Sequence, residues 1–564
     1  MRDIVSSVQH LYNCGLYSNV VEVCNLTNCA KEIYSDKVPA SQLWQVQLLL
    51  ADSYLELREW KLAESLYRQI LQQRKQISRA RQVSEMVTSG GSDPSSDRAI
   101  KHKLHQCYVA LGQSNQAINI LQSIPCSSRT VRDNMCLGRL YQLAGMEKPA
   151  VLSYREVVKE CPLAVEALRA LIQLGVKPRD LQELTLEVDV SWLTGWVAGQ
   201  TKLYSRDYPG AVQDLRKLEV VLPSPSIQVD IGLAHHWAGN TELAVTALAR
   251  AAALAPTNMR GMDALASLYA ETGNIRDLEG LATRLMGVSE EQPQPWVAMG
   301  YYCHLSKKSP RAVYFAHKAC LLDPRNVEAL LLKGRVLLDL KKLSDAINHF
   351  REAVGLARHR YEAHQGLVEC YLGLSRQREA VTFATSACKD LGNSPRALTL
   401  YATVLLKEPL SCARAKTMLE KASVSGHLPA VYKLVEVLDR EGATVKAVEV
   451  LEKQLVHTST VTLHQKLADL LSRPGAGTED RAVQHYSKAL AMDPKNEAAL
   501  QGLEKMEANT EGGDATYDLS EMEEKYEVGS VGRSSPAVPE MEDSETEAVW
   551  SDGDINLVTG GGGN

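Results

Sequence analysis

The sequence predicts an all-α fold, a solenoid of stacked helical hairpins wound into a superhelix and followed by a disordered acidic C-terminal tail. Three observations predict it. A set of small residues returns after 34 positions, Gly300, Ala312 and Ala319 recurring as Gly334, Ala346 and Ala353. A fixed period of this length marks a repeat array, in which each unit buries its apolar face against its neighbours. Ala, Leu and Val dominate the composition and only three phenylalanines occur, Phe315, Phe350 and Phe383, which suits thin two-layer helix packing. Long alternating Val/Ile/Thr runs, the mark of half-buried strands, are absent.

The unit is clearest from Gln292 to Arg358. Pro293 opens one copy, with Gly300 at the eighth place, Ala312 at the twentieth, Ala319 at the twenty-seventh and Pro324 at the thirty-second. A small eighth residue lets helix A lie close to helix B, the twentieth-place alanine receives that contact, and the twenty-seventh meets the next hairpin. The proline stops helix B because it has no N–H to continue the ladder. A second copy in register, with Phe350 where the first has Ala316, defines the tetratricopeptide (TPR) pattern.

Taken in order, residues 1–36 read as a degenerate N-terminal hairpin, apolar at Leu11, Leu16, Val20, Val21 and Val23 and broken at Gly15. An array end should be polar unless something covers it. Either a second copy of the chain covers this end, or the hairpin is an imperfect cap. Residues 37–163 form an N-terminal TPR array, marked by Ala51, Tyr54, Ala63 and Tyr67, then by Leu137, Gly138, Tyr141, Ala150 and Tyr154. Within it, 78–99 contains the Ser/Gly run from Ser89 to Ser96 and reads as a flexible insertion. Residues 164–190 lack the pattern and form an irregular helical joint. A C-terminal TPR array spans 191–506, with Gly199/Ala211, Gly232/Ala244 and Ala482/Tyr486 among its markers. From 507 to 564 periodicity vanishes and acidic, Gly and Ser residues take over, a composition too poor in apolar side chains to fold.

Charge is unevenly placed. Residues 507–564 hold 15 acidic and 2 basic side chains, net −13, so the rest of a chain with formal charge −6 carries +7 by difference. A nucleic-acid binder would concentrate Lys and Arg with aromatics on one face, and this body does not. Twelve cysteines lie at irregular spacings with no C-x-x-C pair, which reads as reduced thiols packed in an intracellular protein. No secretory leader is visible behind Met1, and no run approaches the length of a membrane span. The expected setting is soluble.

Catalytic signatures such as G-x-x-x-x-G-K-[ST], H-E-x-x-H and G-x-S-x-G do not occur. No enzyme activity, metal or cofactor is expected. The nearest metal-like group is His102/His105/Cys107, with two histidines one helical turn apart. Its helix must also supply Leu104 and Tyr108 to the hairpin, and Lys101 and Lys103 would repel a cation, so a partly solvated helix face is the reading preferred. His235 and His236 read as satisfied core or groove histidines.

Function must then be binding. Helix A faces line the inner groove of a TPR stack, at roughly the second, fifth, ninth and twelfth places of each unit. These places put Gln294, Tyr301 and His304, then Glu328 and Arg335, then Glu362 and Glu369, in a candidate peptide groove. Carboxylates among aromatics would hold a basic extended peptide through charge-assisted hydrogen bonds; a solvated or internally paired face is the alternative. In the tail, Ser535 precedes a proline and Ser544 lies among acids, so the two are candidate phosphosites for proline-directed and acid-directed kinases.

Beyond the generic repeat, the chain resembles the subunit-seven family of the anaphase-promoting complex, or cyclosome. The resemblance runs through Gly15–Val20, Ser153–Leu163, Lys202–Pro223 more loosely, Gly261–Asp263 and Gln294–Val297. It is clearest in Ala329–Gly334, Ala346–Val354 and Gly366–Leu372. It implies a non-catalytic TPR scaffold of a cell-cycle ubiquitin ligase that drives mitotic progression and exit, found in nucleus and cytoplasm and at the mitotic spindle. It further implies a homodimer through the N-terminal repeats, with residues 1–160 holding the dimer surface, and stacking on other TPR subunits. Related TPR subunits take the Ile-Arg tail of an activator protein in their groove, which would be a further partner. Neither nucleic acid nor membrane is implied. A TPR co-chaperone or peptide-binding adaptor outside that complex is the alternative; a carboxylate clamp would need Lys, Asn and Arg at groove places where Val297, Tyr301, Leu331 and Arg335 stand.

Overall fold

The computed structural model describes residues 4–29, 40–83, 97–185, 190–408, 411–473 and 479–510. Among these residues there are 29 α-helices, one 3-10 turn and no strand. They divide into two compact units, one reaching Glu441 and the other starting at Gly442.

The first unit begins with α1 (Ile4–Asn13), α2 (Tyr17–Cys29), α3 (Ala40–Glu56), α4 (Trp60–Val83), α5 (Asp97–Ala110) and α6 (Ser114–Gln122). It continues with α7 (Val131–Leu143), α8 (Glu147–Glu160), α9 (Val165–Gln173), α10 (Pro178–Thr185), α11 (Ser191–Tyr204), α12 (Tyr208–Val221), α13 (Pro225–Ala238) and α14 (Thr241–Leu254). Then come α15 (Met262–Glu271), α16 (Ile275–Val288), α17 (Pro293–Leu305), α18 (Ser309–Leu322), α19 (Val327–Asp339), α20 (Leu343–Leu356), α21 (Tyr361–Gly373), α22 (Gln377–Asp390), α23 (Pro395–Leu405), α24 (Cys412–Ser423) and α25 (Leu428–Arg440). The second unit contains α26 (Thr444–Leu455), α27 (Val461–Leu471), α28 (Glu479–Met492) and α29 (Glu497–Thr510).

Each hairpin is set by a few places of the repeat. The alanines at the twentieth and twenty-seventh places, Ala312, Ala319, Ala346 and Ala353, are fully buried. The eighth-place glycine meets a partner other than the one its sequence context suggests. At Gly334 an added Cβ would lie 2.8 Å from the Phe350 ring, and at Gly232 2.6 Å from Leu248 Cγ. In these hairpins helix B therefore approaches through its twenty-fourth-place side chain and the twentieth-place alanine only clears the space, whereas Gly300 meets Leu332 of the next hairpin. Phe350 reaches further, since its ring also fills the position a Cβ on Gly366 of the next hairpin would take.

The turn between the two helices of a hairpin needs one left-handed residue. Glycine supplies it at Gly145 and Gly239, whereas Arg206, Lys307, Lys341 and Ser375 adopt it with φ of 70°, 59°, 63° and 58°. A side chain in that region is strained by Cβ against the next carbonyl, a cost glycine avoids.

Two sequence boundaries look different in the fold. Helix α4 continues to Val83, six residues into the span read as an insertion, and helix resumes at Asp97; residues 84–96, with the Ser/Gly run, lie outside the described residues. Residues 164–190, irregular in sequence, carry α9 and α10, whose Leu168, Leu171 and Leu181 are fully buried. One apolar core runs through them, from Ala51 to Ala247. Irregular spacing here does not mean a break in packing. The acidic tail read from 507 starts four residues later, since α29 runs to Thr510, and from 511 onward it lies outside the described residues.

Candidate functional site

Helix A faces of the first unit bring most of the candidate groove residues to one place. Tyr301 and His304 of α17, Glu328 and Arg335 of α19, and Glu362 of α21 line one cavity of about 130 Å³. Gln294 and Glu369 lie outside its lining. Gln294 is half-buried, its Oε1 without a hydrogen-bond partner among the described residues, and Glu369 accepts a 2.7 Å bond from Gln365.

The carboxylates in this cavity are not free acceptors. Arg360, the residue preceding α21, is 6 % exposed and donates to Glu328 from one guanidinium nitrogen and to Glu362 from Nε at 3.1 Å. Arg396 of α23 reaches the other Glu362 oxygen at 3.5 Å, and His236 Nε2 of α13 stands 3.8 Å from Glu328 Oε1. Burial by itself would raise both carboxyls; the Arg360 charge, with His236 beside it, holds Glu328 below its ordinary range and Glu362 well below it. Tyr301 is pushed well above its usual value by burial and by Glu328. Of the two readings of this face, solvated groove or internal pairing, Glu328 and Glu362 follow the second.

A second buried network centres on α13, three hairpins before Glu328. Asp230 of α13 is fully buried, accepts from Gln200 Nε2 at 2.5 Å and from Arg260, and has Arg169 at 3.9 Å. Asp263, bonded to Asn326 Nδ2 at 3.1 Å, has a carboxyl raised to about 6 by burial and by the nearby Glu328 charge.

The groove is also crossed. Trp237 of α13 meets the His359 ring edge-on, with centroids 4.7 Å apart, across more than a hundred residues of chain. Arg206 donates to the Asp390 carbonyl, and Arg396 packs within 3.0 Å of the Cβ position of Gly239. Beside this bridge lies a cleft of about 820 Å³ whose charges are mixed, Arg139, Arg206 and Arg325 against Glu147, Glu166 and Asp323. No single sign of charge dominates it.

Sequence reasoning missed Arg360 and Trp237 as groove residues, and it left His236 as a core or groove histidine without its Glu328 partner. Arg360 stands in a loop outside the helix A places, and a basic loop residue was not weighed against the two carboxylates it satisfies. His235 and His236 are buried, with Nε2 of His235 lacking a hydrogen-bond partner among the described residues. The reading of His102 and His105 as a partly solvated face is overturned, since they are 8 % and 4 % exposed. The neighbouring lysines turn elsewhere, Lys101 to the Ser123 carbonyl at 3.0 Å and Lys103 to Asp52 at 2.7 Å. The described cysteines are free thiols, and burial pushes the Cys107 thiol up to about 12. Ser535 and Ser544 lie outside the described residues. No helix among the described residues is long and apolar enough to cross a membrane.

Stacked hairpins at a 34-residue period, with glycine and alanine at the close contacts, define a tetratricopeptide solenoid, a class built for protein–protein contact. The tetratricopeptide repeat family matches residues 311–363. The chain is 33 % identical to anaphase-promoting complex subunit 7 of Homo sapiens, over 98 % of both chains, and 33 % identical to that of Mus musculus, over 97 % of this chain and 98 % of the relative. In fold it is similar to the crystal structure of the APC/C hetero-tetramer Cut9-Hcn1, with TM-score 0.51 and 14 % identity over 89 % of this chain and 96 % of that one. The chain belongs to the anaphase-promoting complex subunit 7 family.

Proposed function

We propose that this chain is a non-catalytic TPR scaffold subunit of an anaphase-promoting complex, a cell-cycle ubiquitin ligase, and that it meets the other TPR subunits through surfaces outside its groove. The observation that carries the second half is the pairing of Arg360 with Glu328 and Glu362. A groove whose carboxylates are buried and bonded to the chain's own arginine offers little to a basic activator tail, because each bond to the tail must first replace an internal one. Family membership across nearly the whole chain supports the first half.

Dimer formation through residues 1–160 is the finer part of this reading. Helices α1 to α3 share a small apolar cluster of Val8, Val20, Cys24, Val46, Leu49 and Leu50, separate from the long core that starts at Ala51. Leu16, just before α2, and Leu26 on α2 are 46 % and 65 % exposed, on an array end where polar residues are expected. A second copy covering them would supply the missing partner.

The test is the native mass of the full chain beside that of Leu16→Glu/Leu26→Glu, both positions being exposed enough to take a charge without unfolding. Twice the chain mass, falling to one, supports the dimer; equal masses remove it. Isolation of the tagged chain from dividing cells, with the co-purifying subunits identified, tests the scaffold role. Failure to recover other subunits of the ligase would leave a free-standing peptide-binding adaptor as the better account.

A further inference from the structure

His102, His105 and Cys136 form a compact group on the first unit, away from the groove. His102 and His105 are one turn apart on α5, and Cys136 comes from α7 of the next hairpin. One ligand-type atom from each lies within 4.8 Å of the other two. This is not the trio suggested by spacing along α5, because Cys107 is fully buried in the core between hairpins.

The hydrogen bonds decide which imidazole atoms are available. His102 Nδ1 stands 2.7 Å from Asp133 Oδ1, and His105 Nδ1 is bonded to the His102 carbonyl. Both acceptors are oxygens, so in each neutral ring the Nδ1 carries the proton and Nε2 keeps its lone pair. His102 Nε2 is buried and has no hydrogen-bond partner among the described residues. Its side chain is nine-tenths buried, so water does not satisfy it from outside. A buried lone pair without a donor is costly, and a cation would remove that cost.

Asp133 completes the arrangement. It is 2 % exposed, it caps α7 by accepting from the Thr130 backbone N–H at 3.0 Å, and it holds the His102 ring in place. A carboxylate on the far nitrogen of a histidine is the usual outer partner of a metal-bound imidazole, fixing its tautomer and orientation. We propose that His102 Nε2, His105 Nε2 and Cys136 Sγ bind a borderline-soft divalent cation of the zinc class, clamping α5 to α7.

The charges balance. One thiolate, formed by loss of the Cys136 proton to solvent, and the Asp133 carboxylate together offset the dication. Two lysines flank the histidines in sequence, but both are engaged elsewhere, and Arg139 is held by Glu166 through two bonds of 2.8 and 2.6 Å. Zinc–nitrogen bonds of about 2.1 Å and a zinc–sulfur bond of about 2.3 Å place tetrahedral ligands roughly 3.5 Å apart, so a group whose ligand-type atoms already lie within 4.8 Å of one another needs only a small closing movement. Cys136 is half-buried and lines an open cleft with Gln106, Arg132 and Met135, which gives the ion a route in and leaves the fourth position to water.

Cobalt(II) is the probe, added to the reduced full-length chain in a non-chelating buffer. The expected result is one equivalent bound, with thiolate-to-cobalt charge-transfer absorption and the intense visible bands of four-coordination, abolished by zinc(II). Cys136→Ser should keep its helicity, since the position is half-exposed, lose the charge-transfer band and weaken cobalt binding at least about tenfold. Cys14→Ser, at an exposed cysteine beside His10, should leave the spectrum unchanged. No charge-transfer band in the native chain overturns the site, as does a band that survives Cys136→Ser.

Discussion

Arg360 closes on Glu328 across 32 residues of sequence, with both side chains almost fully buried. The two belong to one helix A layer of the array, Glu328 in the first turn of α19 and Arg360 at the residue before α21. Removing one member of a buried charge network leaves the others desolvated and unpaired, at a cost of about 3–5 kcal/mol. Arg360→Ala is expected to lose that much stability, read from denaturant unfolding of the full chain. The combined Arg360→Met, Glu328→Gln and Glu362→Gln variant removes all three charges and should recover most of it. Glu369→Gln, at a half-buried carboxylate bonded among the described residues to its neighbour Gln365, should stay within about 0.5 kcal/mol of the native chain. Equal losses at Glu328 and Glu369 would contradict the network.

Phe350 fixes the contact between two hairpins by lying against a glycine of each, Gly334 and Gly366. Gly366→Ala pushes a methyl group into the ring and is expected to cost about 1–3 kcal/mol. Gly355, on the same helix as Phe350, has open space around its Cβ position. Gly355→Ala should therefore stabilise by about 0.5–1 kcal/mol, through helix propensity alone. Opposite signs in the two unfolding midpoints are the check.

Lys341 holds a φ of 63° at the turn from α19 to α20, the place that Gly145 and Gly239 take in two other hairpins. The left-handed conformation costs a side chain about 1–2 kcal/mol, part of which glycine gives back through its greater freedom when unfolded. Lys341→Gly is expected to gain about 0.5–1 kcal/mol, the reverse of the usual effect of introducing glycine. A loss of stability in the same unfolding assay would show that the Lys341 side chain contributes more than its strain costs.

The hairpin period was legible because it is written in local choices. Glycine at the eighth place, alanine at the twentieth and proline after helix B each act within one unit or on the next, and a single sequence carries them. The groove chemistry was legible only in part. Tyr301, His304, Glu328, Arg335 and Glu362 were placed together by counting from Pro293, and they do share a cavity. Whether Glu328 was free depended on Arg360, which lies outside the helix A places. The Trp237–His359 contact joins residues 122 apart, set by how tightly the hairpins wind, and the 34-residue period does not encode that. For the same reason the spacing on α5 pointed to Cys107, while the fold brings in Cys136 from the next hairpin.

The Trp237–His359 bridge gives the last prediction. Burial, then the charges of Arg360 and Arg206, lower the His359 imidazole to about 3; burial and Lys333 lower His349 to about 4. In the unfolded chain each titrates near about 6.5. Between these limits the unfolded state binds a proton that the folded state refuses, so stability is full above about pH 6.5 and falls as pH drops toward the folded values. Asp263 acts in the opposite direction, because its carboxyl, raised to about 6, takes a proton in the folded state first. Glu271 is raised in the same way, but the lowered histidines outnumber these two carboxyls, so the apparent unfolding midpoint should decline between pH 7 and 5. His359→Gln removes one of these protons and should flatten that decline by up to about 1.4 kcal/mol per pH unit. A slope unchanged by His359→Gln would mean that the bridge admits enough water, or moves enough, to let the imidazole titrate as it does when unfolded.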